Sequence, residues 1–418
     1  MFKPLIQLVG ANLLAQAISF SIMPIITRLH TPDSLGKYQF FITLALVLTP
    51  FISGSFAIAI ESSTSKHRAL VNLKLGMQFS FIVVIALIII SPIIMFLLSI
   101  SQIDWFTFYL PLLVIFMYLS ANFQFAMGFM TNSRSYSNQS TYTITKSGVS
   151  NILKLCFSLI SKTGFSLVFA LVITELFQVY RVVRVNYKGI KSFLIRFKWR
   201  VFKRNFFEIK IYPTYVTMAT VLSILMNWFP ILITGIFYGP KYAGLLGLAF
   251  MVVNTPVYPF ISALQNVCFG ELSRSRTPNK LKSIYKKSML IALVPCILGL
   301  YILYKFGGEL FSVIFGNEWT SAGRYAFICF IPISLSFILS PVYNTLNHFF
   351  SFQKLFFWIN CIILFIGSFA TSYIGYNSYD FDLFIIVFAF TMSIGHLILF
   401  SSSVILTIFV KKQINYNS

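Results

Sequence analysis

"IITRLHTPDSLGKYQ", residues 25–39, is answered half a chain later by "ITGIFYGPKYAGLLG", residues 233–247; one offset of 208 aligns Pro32 with Pro240 and Gly36 with Gly244. Each copy breaks two long apolar runs, and each is followed by the same succession of features. An apolar run carrying proline comes next (Pro50; Pro256 and Pro259), then an acid at its far end (Glu61; Glu271). A Ser-rich basic stretch follows, "ESSTSKHR" from residue 61 and "ELSRSRTPNK" from residue 271. Trp105 and Trp319 then close the next hairpin, at the level where aromatic residues settle at a membrane interface. The order repeats as well as the turn, so the chain reads as an internal duplication.

Composition says what is duplicated. Of 418 residues, 57% are hydrophobic and 10% charged, with mean hydropathy +0.82, whereas soluble domains carry roughly 25% charged residues. The chain is a membrane protein. Its apolar runs of about 18–25 residues suit helices crossing about 30 Å of hydrocarbon, whereas barrel strands would be shorter and alternate apolar with polar. Twelve spans are predicted, at approximately 5–29, 38–60, 73–99, 106–129, 143–160, 165–185, 211–237, 244–268, 287–304, 322–346, 354–372 and 382–410. The expected fold is therefore all-α, with an N-terminal six-helix lobe (1–185), a basic linker (186–210) and a C-terminal six-helix lobe (211–418). Six spans return the chain to its starting side, so the lobes share an orientation; parallel repeats of this kind place a transporter's substrate path between them. The first span contains Asn12 and Gln16 and has no small-residue cleavage site, so a retained helix is expected rather than a removed leader.

The formal charge of +22 invites a nucleic-acid partner, but its layout has another cause. With the N-terminus in the cytoplasm, 25 of the 32 Lys and Arg fall on the cytoplasmic side, as the positive-inside rule requires. Both termini are then expected inside, with no nucleic acid needed. The linker "NYKGIKSFLIRFKWRVFKRNFFEIK" (186–210) interleaves cations with rings, a composition suited to anionic lipid headgroups. Five cysteines, Cys156, Cys268, Cys296, Cys329 and Cys361, lie in or beside apolar runs without a CxxC pair and read as reduced packing residues. No Gly-rich phosphate loop ending in Gly-Lys-Ser/Thr, metal cluster or nucleophile–base pair is present, so neither direct ATP use nor a covalent step is expected, and no cofactor is called for.

The rare ionisable residues inside spans are the candidate functional groups. Lys154 lies deep in the fifth span and Glu175 deep in the sixth, joined by the short "SKTG" turn. One reading gives them a transport role, Lys154 drawing an anionic group and Glu175 taking up a proton or cation that drives the cycle. The other makes them a structural ion pair between adjacent helices. Arg28 ends the first span, and Asn12 and Gln16 stand four residues apart on one face of that helix; these are candidates for substrate binding, or else interhelical glue. His396 reads as a packing histidine, and Asn254, near Pro256 and Pro259, as a site of helix breakage or a simple kink.

Longer motifs carry a family likeness. "NWFPILITGIFYGPKYAGLLGLAFMVVNTPVYPFISALQNVCFGELSR" (227–274) has Asn-x-x-Pro, then Phe-x-Gly-x-x-x-Ala-Gly, then a proline-bearing span. "LFSVIFGNEWTSAGRYAF" from residue 310 has Phe-Gly-x-x-Trp-x-x-Ala-Gly, and "FAIAIESSTSKHRALVNLKL" (56–75) an Ala-Ile segment before a polar loop. Together these resemble the polysaccharide-export branch of the multidrug/oligosaccharidyl-lipid/polysaccharide (MOP) exporter superfamily, apart from Ser53, Gly54 and Ser55 where that branch often has Arg-Tyr-Glu. The resemblance implies an O-antigen or capsule repeat-unit flippase of the bacterial inner membrane. Its cargo would be an undecaprenyl-diphosphate-linked oligosaccharide, and its partners membrane lipids, a glycan polymerase and a chain-length regulator. A drug or metabolite antiporter of the same superfamily is the alternative, though it would be expected to hold more acids inside its lobes than Glu175 alone. A membrane glycan polymerase is a second alternative, but it would carry a large outer loop and no duplication.

Overall fold

The computed structural model describes residues 2–99, 104–194, 199–274, 278–350 and 353–416. Fourteen α-helices make up the described chain. They are α1 (Phe2–Leu29), α2 (Pro32–Ser53), α3 (Phe56–Glu61), α4 (Lys66–Ser99), α5 (Leu110–Asn132), α6 (Tyr136–Ile160), α7 (Gly164–Leu194), α8 (Trp199–Glu208), α9 (Thr217–Phe237), α10 (Gly239–Arg274), α11 (Pro278–Phe315), α12 (Thr320–Phe350), α13 (Gln353–Tyr376) and α14 (Phe381–Tyr416). Setting aside the short α3 and α8, twelve long helices coincide with the twelve predicted spans. Ten of the twelve, over the described residues, are long and apolar enough to cross a membrane; the others are α6 and α10. For α6 the reason is a content of Ser, Thr, Asn and Lys that turns out to matter below. The side chains of Glu271 and of the basic stretch after it lie outside what the structure describes, as do those of residues 185–198.

The chain divides into two compact units, Met1–Trp228 with Gly239–Gly244, and Phe229–Tyr238 with Leu245–Ser418. In the first, α5 is central, packed against α2, α3, α4 and α7, while α1 lies along α6 and α6 along α7. In the second, α12 packs between α11 and α14, with α13 on α14. Helices in lipid gain little from the hydrophobic effect when they meet, so close backbone approach and polar contacts must hold them.

The opening stretch shows how. Thr-Pro is a helix start rather than the first half of a turn: Thr31 caps α2, its hydroxyl accepting from the Ser34 N–H at 3.3 Å, and Pro32 occupies the first helical position. Asp33 and Lys37, both partly exposed, pair with each other at 2.9 Å one turn apart. Gly36 sits inside the helix, and its role is close packing. A Cβ there would run into the carbonyl of Pro240, and a Cβ on Gly244 into the carbonyl of Pro32. Within the first unit the two copies of the motif therefore lie against each other, each glycine over the other's proline.

One further expectation is corrected. The span predicted at 38–60 is interrupted: Gly54 and Ser55 both take left-handed conformations (φ 53° and 50°), ending α2 and starting α3. Such a conformation is costly for serine, and nothing in a single sequence announces it. The Trp319 side chain is 1% exposed, packed inside the protein in a short 3₁₀ turn ahead of α12. Of the two readings of Asn254, helix breakage is excluded, since α10 runs unbroken through Pro256 and Pro259.

The described part of the 186–210 segment is ordered on the first unit. In α8, Trp199 stacks on Phe202 and Phe202 on Phe206 (5.5 and 5.8 Å between ring centres), and Phe206 packs on Phe79. Arg200, Lys203 and Arg204 face outward, and Glu208 holds Arg68 at 3.2 Å.

Candidate functional site

The polarity of α6 is spent on both neighbours in the first unit. Toward α1, Ser147 donates to the Ala15 carbonyl at 2.7 Å and shares a bond with Ser19 at 3.1 Å; Asn151 donates to Ser19 at 3.0 Å. Nearer the α1–α2 junction, His30 meets Ser158 at 2.7 Å, and Ser34 donates to the Lys162 carbonyl at 3.0 Å. Ser140, Ser147, Asn151 and Ser158 recur at helical spacing, so one stripe of α6 serves α1. Small and hydroxylated residues of this kind are the ordinary means of joining helices in lipid.

The other side of α6 carries charge. The Lys146 ammonium lies 2.5 Å from Oε1 of Glu175 on α7, and 4.4 Å over the face of Phe123 on α5. The Glu175 side chain is 3% exposed, whereas that of Lys146 is 34% exposed. One and a half turns along α7, Arg181 donates to Thr145 at 2.5 Å and stacks on Tyr142, 4.6 Å from the ring centre. Lys154, two turns from Lys146 on the same helix, sits 5.2 Å over the ring of Tyr38 on α2.

Here the sequence-based pairing is corrected. Glu175 is held by Lys146, near the start of the predicted 143–160 span, and not by Lys154. The reason is depth. Measured from Lys162, at the centre of the α6–α7 turn, Glu175 lies 13 residues away, Lys146 lies 16 and Lys154 lies 8. At about 1.5 Å per residue the first pair differs in depth by about 4–5 Å and the second by about 7–8 Å. A lysine side chain spans the smaller gap comfortably.

Among the other predicted residues, Asn12 is exposed and Gln16 half-buried on the flank of α1 that carries Ser19. Arg28 is exposed in the last turn of α1, about 120–160° around the helix from those two amides. The structure thus brings Lys146 together with Glu175, leaves Lys154 two turns away against Tyr38 and in line with Ser147 on the α1-facing stripe, and does not bring Arg28 together with Asn12 and Gln16. His396, in the second unit, bonds through Nδ1 to the Tyr343 hydroxyl at 3.1 Å and stacks on that ring, as the packing reading expected. Lys146 and Arg181 were missed as site residues. The available signal was the polar character of the 136–160 segment, too weak in apolar residues for a span that serves only as scaffold.

Likeness to solved structures covers nearly the whole chain. An inward-facing multidrug resistance MATE family transporter of the MOP superfamily matches 97% of this chain and 96% of its own, at 14% identity and TM-score 0.64. The lipid II flippase MurJ, in an inward closed conformation, matches 96% of this chain and 87% of its own, at 14% identity and TM-score 0.68. A MOP superfamily transporter from Pyrococcus furiosus matches at 14% identity, TM-score 0.55, over 96% and 95% of the two chains. At these identities the fold is shared. No curated protein sequence matches the chain. The model of one sequence family, described as polysaccharide biosynthesis protein, matches residues 8–324. The chain therefore belongs to the polysaccharide biosynthesis protein family and has the MOP-like fold.

Proposed function

We propose that the chain is a flippase that carries polyprenyl-diphosphate-linked oligosaccharide repeat units, of the O-antigen or capsule type, from the cytoplasmic to the outer face of a bacterial inner membrane. The observation that carries this reading is the charge along α6 and α7: Lys146 on a single buried acid, Glu175, with Arg181 over Tyr142 and Lys154 over Tyr38, on a helix whose α1-facing side is a row of Ser and Asn groups. A diphosphate and a sugar chain cannot enter hydrocarbon with their polar groups unmet, at several kcal/mol for each. Cations for the phosphates and amides, hydroxyls and rings for the sugars are what such a cargo needs. Family membership and the fold shared with a protein described as a lipid II flippase support the same reading.

In this account Lys146 and Lys154 bind the diphosphate, with Asn12, Gln16 and Arg28 as further cargo contacts on α1. Two lobes, 1–185 and 211–418, alternate around the path with both termini cytoplasmic, and Glu175 takes up the driving ion. A glycan polymerase and a chain-length regulator act on the delivered product. The MATE likeness offers a second reading, a drug antiporter, but the excess of cations along α6 and α7 disfavours a cationic drug. Deleting the gene tests the proposal: lipid-linked repeat units should accumulate on the cytoplasmic leaflet, and surface polysaccharide formed normally without such accumulation would overturn it.

A further inference from the structure

Two buried groups on α7 lack what they need. Oε2 of Glu175 has no hydrogen-bond partner among the described residues, and one turn further on neither the oxygen nor the nitrogen of the Gln178 amide has one. Gln178 is 0% exposed and Glu175 2%. Buried polar atoms are satisfied in the great majority of cases, so each exception asks for a reason. Residues three apart on a helix have their Cβ atoms about 5–6 Å from each other; the Gln178 amide is within reach of the Glu175 carboxylate after a change of side-chain rotamer. It does not make that bond here, where Lys146 holds Oε1 at 2.5 Å and Oε2 stands open. Arg181 and Lys154 are committed elsewhere, Arg181 to Thr145 and Tyr142, and Lys154 to Tyr38 two turns away.

We propose that Glu175 is an internal substitute for the cargo's phosphate. It holds Lys146 while the α6–α7 seam is empty, yields Lys146 when a phosphate arrives, and is then held in turn by the Gln178 amide, which the empty seam leaves idle. The exposure of the pair fits this exchange: Lys146, one-third exposed, is the member a phosphate can reach, and the nearly fully buried Glu175 is the member it cannot. A carboxylate abandoned in that setting would oppose cargo binding, and a waiting donor lowers the opposition. The empty seam presents less positive charge than Lys146 and Arg181 imply, so it does not capture ordinary phosphates that lack the rest of the cargo. This inference rests on the flippase reading.

The test uses the purified full-length chain in lipid nanodiscs and a fluorescent polyprenyl diphosphate as probe. Glu175→Gln removes the competitor and should tighten binding about ten-fold or more, the scale of one charge-assisted hydrogen bond. Gln178→Leu should weaken binding about ten-fold while leaving the thermal stability of the empty protein unchanged or raised, because Gln178 makes no bond in that state. In the Glu175→Gln background, Gln178→Leu should have no effect. Unchanged binding in Gln178→Leu, or an equal loss in both backgrounds, would overturn the exchange while leaving the flippase reading intact. A wild-type chain that does not bind the probe would instead remove the flippase reading, and this inference with it. If Glu175→Gln does not fold, Gln178→Leu alone decides through its separate effects on binding and stability.

Discussion

Replacing Lys146 by Met takes the counter-ion from a carboxylate whose side chain is 3% exposed and leaves the aliphatic volume over Phe123 in place. Breaking a buried ion pair from one side costs about 3–5 kcal/mol, because the remaining charge loses its counter-ion away from water, and a neutral amide such as that of Gln178 offsets only part of this. That is a shift of about two to nearly four powers of ten in the unfolding equilibrium. Removing both charges should cost far less, since a buried pair exchanged for neutral groups of similar volume is often close to neutral. Lys146→Met should therefore lose about 3 kcal/mol or more, and Lys146→Met with Glu175→Leu should recover most of it. Lys154→Met, which gives up only the face of Tyr38, should lose about 1 kcal/mol. Thermal unfolding of the purified full-length variants in one detergent measures all three. If Lys154→Met were the costly change and Glu175→Leu rescued it, the pairing of Glu175 with Lys146 would be wrong.

Three more outcomes are expected. Gly36→Ala should destabilise by about 1–3 kcal/mol, since its methyl meets the Pro240 carbonyl, while Gly148→Ala, in α6 with nothing within 4 Å, should stabilise by about 0.5–1 kcal/mol; parallel thermal melts compare them. His30, between α1 and α2, is held below the usual histidine range, first by burial and then by the charge of Lys162. Its contribution should be level above pH 6.5 and fall as the pH drops below that value, because the unfolded chain binds a proton that folded His30 resists. His30→Gln should flatten that part of a stability–pH curve. Thr31→Ala removes the cap of α2 and should cost about 1 kcal/mol, read from the same melts.

The positions of the spans were legible because hydropathy averaged over a helix length is insensitive to detail, and the duplication because Pro32/Gly36 and Pro240/Gly244 keep one offset across a fixed order of features. What Gly36 is for was not legible. A glycine in a turn and a glycine under another backbone's carbonyl look alike until the partner is placed, and the partner lies 204 residues away. Thr31-Pro32 carries a helix-start signature in its own right, but the nearby Gly36 made it read as a turn. Ser55 shows a different limit, since its left-handed backbone is imposed by packing and not preferred by serine. In the site, Glu175 was legible because an acid in an apolar helix is rare. Its partner was not, because choosing between Lys146 and Lys154 needs the relative depth of two helices to within about one turn. Gln178 gave no signal, since an amide in α7 looks the same whether or not it has a partner.

The central claim is translocation of a lipid-linked anionic glycan, and its most direct test is reconstitution. The purified full-length chain in proteoliposomes should move a fluorescent polyprenyl-diphosphate oligosaccharide between leaflets, read by quenching from one side, and Lys146→Met with Glu175→Leu should abolish the movement while remaining folded. A wild-type chain that leaves the probe in its original leaflet but exports a cationic dye from the same vesicles would contradict the account.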